Sequence, residues 1–132
     1  MYDLVADIER YAEFLPGCRG VVINSKSQLA DAQIVEATMT VGHKMIVEKV
    51  MCRAKLDQEA LKIDVSNLGG PLRHLENSWV FYPRDDGGCD VEFSIDFALK
   101  SRALSLVIGG LFDQVFGHML TAFERRAAEI YE

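Results

Sequence analysis

The residue types that most often do chemistry are thinly spread through this chain. Its three histidines, His43, His74 and His118, form neither a helix-face pair nor a metal-ligand spacing. Its three cysteines, Cys18, Cys52 and Cys89, are far apart, and an odd, sparse count supports no disulfide framework. They are read as reduced thiols, with Cys52 a small core residue. Carboxylates are common, but Asp90, Glu92 and Asp96 alternate with apolar residues and read as a solvated strand face. Nucleophilic catalysis needs a base within hydrogen-bond reach of the nucleophile, and no spacing predicts such a pair. The Gly69-Gly70 and Gly87-Gly88 doublets read as turns, since neither belongs to a phosphate-binding loop. The expectation is therefore no catalytic residue, no metal site and no resident cofactor.

Composition narrows the class further. The chain has 132 residues, 49% hydrophobic and 26% charged, as expected of one soluble domain spanning the whole length. A formal net charge of -6 argues against general nucleic-acid binding, because phosphate contacts dominate that affinity. No apolar run approaches the roughly 20 residues of a membrane span, and no signal-peptide pattern opens the chain. An intracellular location is expected.

The elements that would position any site follow from periodicity. Met1, Leu4, Val5 and Ile8 recur at helical spacing over residues 1 to 9, and a second short helical piece carries Tyr11, Phe14 and Leu15 before Pro16 and Gly17 stop it. From Cys18 to about Lys100 the period is two. The spacing predicts six strands in meander order: 21–28, 34–41, 44–56, 61–65, 72–82 and 91–99. Turns fall at 29–33, at Gly42, at 57–60 and at Gly69-Gly70-Pro71, and Asp86-Gly87 marks a tight hairpin. The last strand is the cleanest, with Val91, Phe93, Ile95, Phe97 and Leu99 on one face; a one-residue slip would expose them all. From about Ala103 to Tyr131 the period returns to 3.6, predicting one long helix capped by Ser101, with Gly109-Gly110 as its weak point. One apolar sheet face and one apolar helix stripe must cover each other, so the fold class is α+β, with a curved antiparallel sheet gripping a long helix.

Several runs then carry a resemblance. Tyr2-Asp3-Leu4-Val5-Ala6-Asp7-Ile8-Glu9-Arg10-Tyr11 with Glu13-Phe14-Leu15-Pro16 closely resembles the start of the coenzyme Q-binding START-like proteins, a set that includes the bacterial ribosome-association toxins. Gly70-Pro71-Leu72, Trp79-Val80-Phe81, Val91-Glu92-Phe93, Ile95-Asp96-Phe97 and Ala122-Phe123-Glu124-Arg125-Arg126-Ala127 agree in order. The resemblance implies a helix-grip fold with a cavity for an apolar molecule. It also implies two departures. Family members usually have a strand before the first helix, which this chain lacks, so an exposed sheet edge is expected. Where the family commonly has tryptophan after the helix-ending proline, this chain has Gly17, which bears on how the cavity mouth closes.

The residues so implied for the ligand are Phe14, Leu15, Met39, Val65, Trp79, Phe81, Phe93, Ile95, Phe97, Leu111, Val115, Phe116 and Met119. Periodicity alone reads each as core. Asn77, on the alternation of Trp79, is either a contact to a quinone carbonyl or a partner for nearby backbone groups. His118 is either a cavity donor or a partly exposed helix histidine. Lys44, Lys49, Arg53 and Lys55 line one strand and form either an ordinary outward face or a patch for anionic lipid or ribosomal RNA. The implied function is carriage of ubiquinone or a similar prenylated lipid in the bacterial cytoplasm, with peripheral contact at the inner membrane as an option, without catalysis. The alternative is binding to the large ribosomal subunit. A cyclase of the same fold would need converging polar groups inside the cavity.

Overall fold

The computed structural model describes residues 2–43 and 46–131. Met1 of the expected first helix and Lys44 of the expected basic strand lie outside this range. Six strands form one antiparallel sheet in the order β1-β2-β3-β4-β5-β6. They are β1 (Cys18–Leu29), β2 (Ala32–His43), β3 (Ile46–Asp57), β4 (Lys62–Gly69), β5 (Leu72–Pro83) and β6 (Cys89–Leu99). Each neighbouring pair is consecutive in sequence, so the connections are short and β1 and β6 are the sheet edges. The register puts Val35, Ala37, Met39, Val50, Cys52, Ala54, Ile63, Val65, Leu75, Trp79 and Phe81 on one face, where they pack into the core.

The helices cover that face. Helix α1 (Tyr2–Ala6) is followed by a 3-10 helix (Ile8–Glu13), so the expected helix over residues 1 to 9 divides at Asp7. Two C-terminal helices, α2 (Arg102–Gly117) and α3 (Met119–Tyr131), replace the single long helix expected. The chain stays helical through Gly109-Gly110, and the interruption falls at His118, just after Gly117. Glycine weakens a helix by similar amounts wherever it stands, so propensity could not choose between these positions. Helix α2 meets both β2 and β6, while α1 meets α3 and the 3-10 helix packs on β1. The sheet thus curls round the helices from its second strand to its last. Val5, Val41, Val50, Ile63, Leu72, Trp79, Phe112, Val115 and Phe123 are at most 2% exposed and form the centre of the core.

Candidate functional site

A partly open space of about 60 Å³ lies between the inner sheet face, the 3-10 helix and the α2–α3 junction. Small side chains create it. Ala37 of β2 stands opposite Cys52 of β3, and Val35 stands opposite Ala54. Ala54 in turn faces Val65 of β4. Where three strands present short side chains side by side, the helices cannot close fully on the sheet. Ile63, Leu75, Trp79 and Met39 complete the sheet side, Phe116 and Met119 the helix side, and Ile8 and Tyr11 the roof.

Among the described residues, no side chain lining this space carries a charge, and none is a carboxylate or imidazole. Its polar groups are the Tyr11 hydroxyl, the Cys52 thiol, the Asn77 carboxamide and the Trp79 indole N–H. Tyr11 Oη donates to the Val5 carbonyl oxygen, tying the roof to α1. Burial, reinforced by the Asp7 carboxylate, raises the Tyr11 phenol far above its ordinary range. Burial also pushes the Cys52 thiol up to about 11, so it stays protonated at neutral pH and is a poor nucleophile. Asn77 is 7% exposed. Its Nδ2 donates weakly to the Met119 sulfur at 3.6 Å, and its Oδ1 accepts no hydrogen bond.

The expected ligand residues divide. Met39, Val65, Trp79, Phe116, Met119 and Asn77 line the space. Phe81 stacks beside Trp79 and meets Tyr2 edge-on, and Phe93 tilts against Trp79 at 4.5 Å. Phe97 lies against Phe112 and Phe116. Leu15, Leu111 and Val115 are buried in the general core, and Ile95 is half-buried on the edge strand. Phe14 packs on Tyr11 and Phe123 beneath the Arg126 guanidinium. With exposed His118 it borders a separate surface groove between the 3-10 helix and α3. Lys49, Arg53 and Lys55 are exposed on the outer face of β3. Sequence reasoning missed Ile8, Tyr11, Val21, Val35, Ala37, Cys52, Ala54, Ile63 and Leu75. The inward alanines and cysteine were the available signal.

Gly17 is occupied in a different sense from the one its composition suggests. Its φ is +84°, and an added Cβ would come within 2.6 Å of Val115 Cγ2. Helix α2 therefore fills the place that a large side chain at this position would need.

A curved antiparallel meander gripping C-terminal helices around an apolar space is the START-like, helix-grip fold class. Residues 1–124 match the polyketide cyclase / dehydrase and lipid transport family, and the chain belongs to it. It is 31% identical to the ribosome association toxin RatA of Vibrio cholerae, over 99% of this chain and 88% of that one. It is 32% identical to the mitochondrial coenzyme Q-binding protein COQ10 homolog B of Xenopus laevis, over 99% of this chain but only 53% of that protein. Among solved structures, the 18 kDa protein CC1736 of Caulobacter crescentus is 34% identical, with a TM-score of 0.73 over 98% of this chain and 87% of that one. The Zhui aromatase/cyclase of Streptomyces sp. R1128 superposes with a TM-score of 0.79 over 99% and 86% at 17% identity, a likeness of fold alone.

Proposed function

We propose that this protein binds and carries an apolar ligand between its sheet and helices, ubiquinone or a related prenylated lipid, and does no chemistry on it. The observation that carries this reading is the uncharged inner space with four neutral polar groups and no carboxylate, imidazole or other charged side chain in its lining. The relative named for coenzyme Q binding supports the same ligand class. The space is smaller than the roughly 150 Å³ cavity that admits benzene, so a quinone ring enters by displacing side chains. Met39 and Met119 suit this, since methionine is unbranched and repacks readily. Each Å² of isoprenoid tail removed from water would contribute about 25 cal/mol, so affinity would come mainly from contact area. The test is native mass spectrometry of the purified protein, followed by organic extraction and identification of bound material. A co-purified or added quinone retained by the wild type and lost in Phe116→Asp supports carriage. An empty protein that also takes up no added ubiquinone overturns it.

A second reading, association with the large ribosomal subunit, draws on the ribosome association toxins among the relatives and on the exposed row Lys49, Arg53 and Lys55. Arg53 and Lys55 share an outer groove of about 570 Å³ with Asp64, Glu76 and Asp96. Those carboxylates oppose RNA phosphate, which is why this reading stands second. Co-sedimentation with large subunits that falls steeply with salt, and is lost in a Lys49→Glu/Arg53→Glu/Lys55→Glu variant, would move it to first place.

A further inference from the structure

Among the described residues, Asn77 is the buried polar residue of the inner sheet face. It sits in mid-strand on β5, opposite Val65 of β4 and Ile95 of β6, so backbone pairing continues on both sides of it. Its carboxamide orientation follows from its neighbour. The Met119 sulfur is an acceptor, and Nδ2 donates to it at 3.6 Å; turning the amide over would set two acceptors against each other. Oδ1 is then left covered and without a donor. Tyr11 cannot supply one, because its hydroxyl proton is committed to the Val5 carbonyl. The Cys52 thiol is only a weak donor. No donor of the lining, the Trp79 indole N–H included, reaches Oδ1, which is the acceptor left open.

Resting on the carrier reading above, we infer that Asn77 Oδ1 accepts a hydrogen bond from the ligand, so the site selects a head group bearing a hydroxyl. For a quinone-class ligand, the hydroquinone is bound in preference to the quinone. The two forms share ring, substituents and tail, so apolar contacts cancel in the comparison. What differs is that the hydroquinone brings O–H donors where the quinone brings only carbonyl acceptors. A buried acceptor left unmatched in one complex and satisfied in the other gives a preference of about tenfold or more. For this two-electron couple a tenfold preference raises the midpoint potential of the bound ligand by about 30 mV.

The experiment is anaerobic equilibrium dialysis of the full chain against decylubiquinol and decylubiquinone, repeated with Asn77→Leu. The expected result is at least tenfold tighter binding of the quinol by the wild type, and equal binding of the two forms by the variant. Equal affinities in the wild type, or a preference for the quinone, overturn the inference while leaving carriage intact. If neither form binds, the carrier reading falls, and 2-naphthol against 2-methoxynaphthalene still decides the acceptor. Preference for the naphthol upholds it; preference for the ether, equal binding or no binding overturns it. A second readout needs no ligand: Asn77→Leu removes an unmatched buried acceptor and should raise the thermal midpoint. A lowered midpoint would mean that Oδ1 is already satisfied, for instance by internal water, and would overturn the inference as well. The wild-type comparisons stand even if the variant does not fold.

Discussion

At Gly17 and Gly87 the same backbone conformation meets different surroundings. Both have φ near +85°, but an added Cβ would strike Val115 at Gly17 and meet nothing within 4 Å at Gly87. Gly87→Ala should therefore cost about 1 kcal/mol from backbone strain alone, and Gly17→Ala clearly more, about 2–4 kcal/mol. Urea unfolding of the two variants separates clash from strain; equal losses would mean that α2 yields to the new methyl group. Cys52 supports a pH prediction. The free thiol titrates near 9.0 and the folded one near 11. Between those values the folded chain holds a proton that the unfolded chain has released. The contribution is thus complete below pH 9 and is lost as pH rises toward 11. Tyr11, raised mainly by burial, acts in the same direction at higher pH. The urea midpoint should fall across this window, and Cys52→Ala should flatten the earlier part of the fall. An unchanged profile in that variant would assign the alkaline loss elsewhere.

The 3-10 helix is the element that decides access to the inner space, because Ile8 and Tyr11 roof it. It is tied down at both ends. Glu9 pairs with Lys26 of β1 at 3.3 Å, and Glu13 pairs with Arg126 of α3 at 2.9 Å. Arg126 also lies 5.3 Å from the centre of the Phe14 ring. Exposed pairs of this kind contribute less than about 1 kcal/mol each, so the ties bias opening without preventing it. Glu13→Gln should lower global stability by at most about 1 kcal/mol, yet measurably speed amide exchange across residues 8–13. Added salt should act in the same direction on the wild type. Exchange that rises equally in β3 would mean that the pair supports the whole fold instead of this segment.

Across the whole molecule, the contact surface between sheet and helices is both the core and the lining of the inner space. Trp79 shows the overlap: it lines the inner space and also meets Phe81, Phe93 and Phe123. A ligand bound there should add to stability by mass action, about 2.7 kcal/mol at a free concentration one hundred times Kd. Thermal unfolding with increasing decylubiquinol should show a rising midpoint and a change in Trp79 fluorescence. No helix of the described residues is long and apolar enough to cross a membrane.

Much of this architecture was legible in residue order. Alternation in Val91, Phe93, Ile95, Phe97 and Leu99 sets which face of β6 turns inward, since the side-chain period of a strand is two. Asp86-Gly87 sets the β5–β6 hairpin, and short turns force the meander order. The same alternation placed Asn77 on the inner face. Local pattern could not say where the C-terminal helix breaks, because glycine at 109–110 and at 117 carries similar propensity and only packing chooses between them. Nor could it separate cavity from core among Phe81, Val115 and Phe116, which share one hydrophobic signature. That division depends on cross-strand register: Ala37 beside Cys52 and Ala54 beside Val65 leave a gap only because different strands bring them together. Sequence by itself determined which residues turn inward, through periods of two and 3.6. The tertiary structure alone decided where inward-facing residues fail to fill the space between them, because a void belongs to several elements at once and to no single segment.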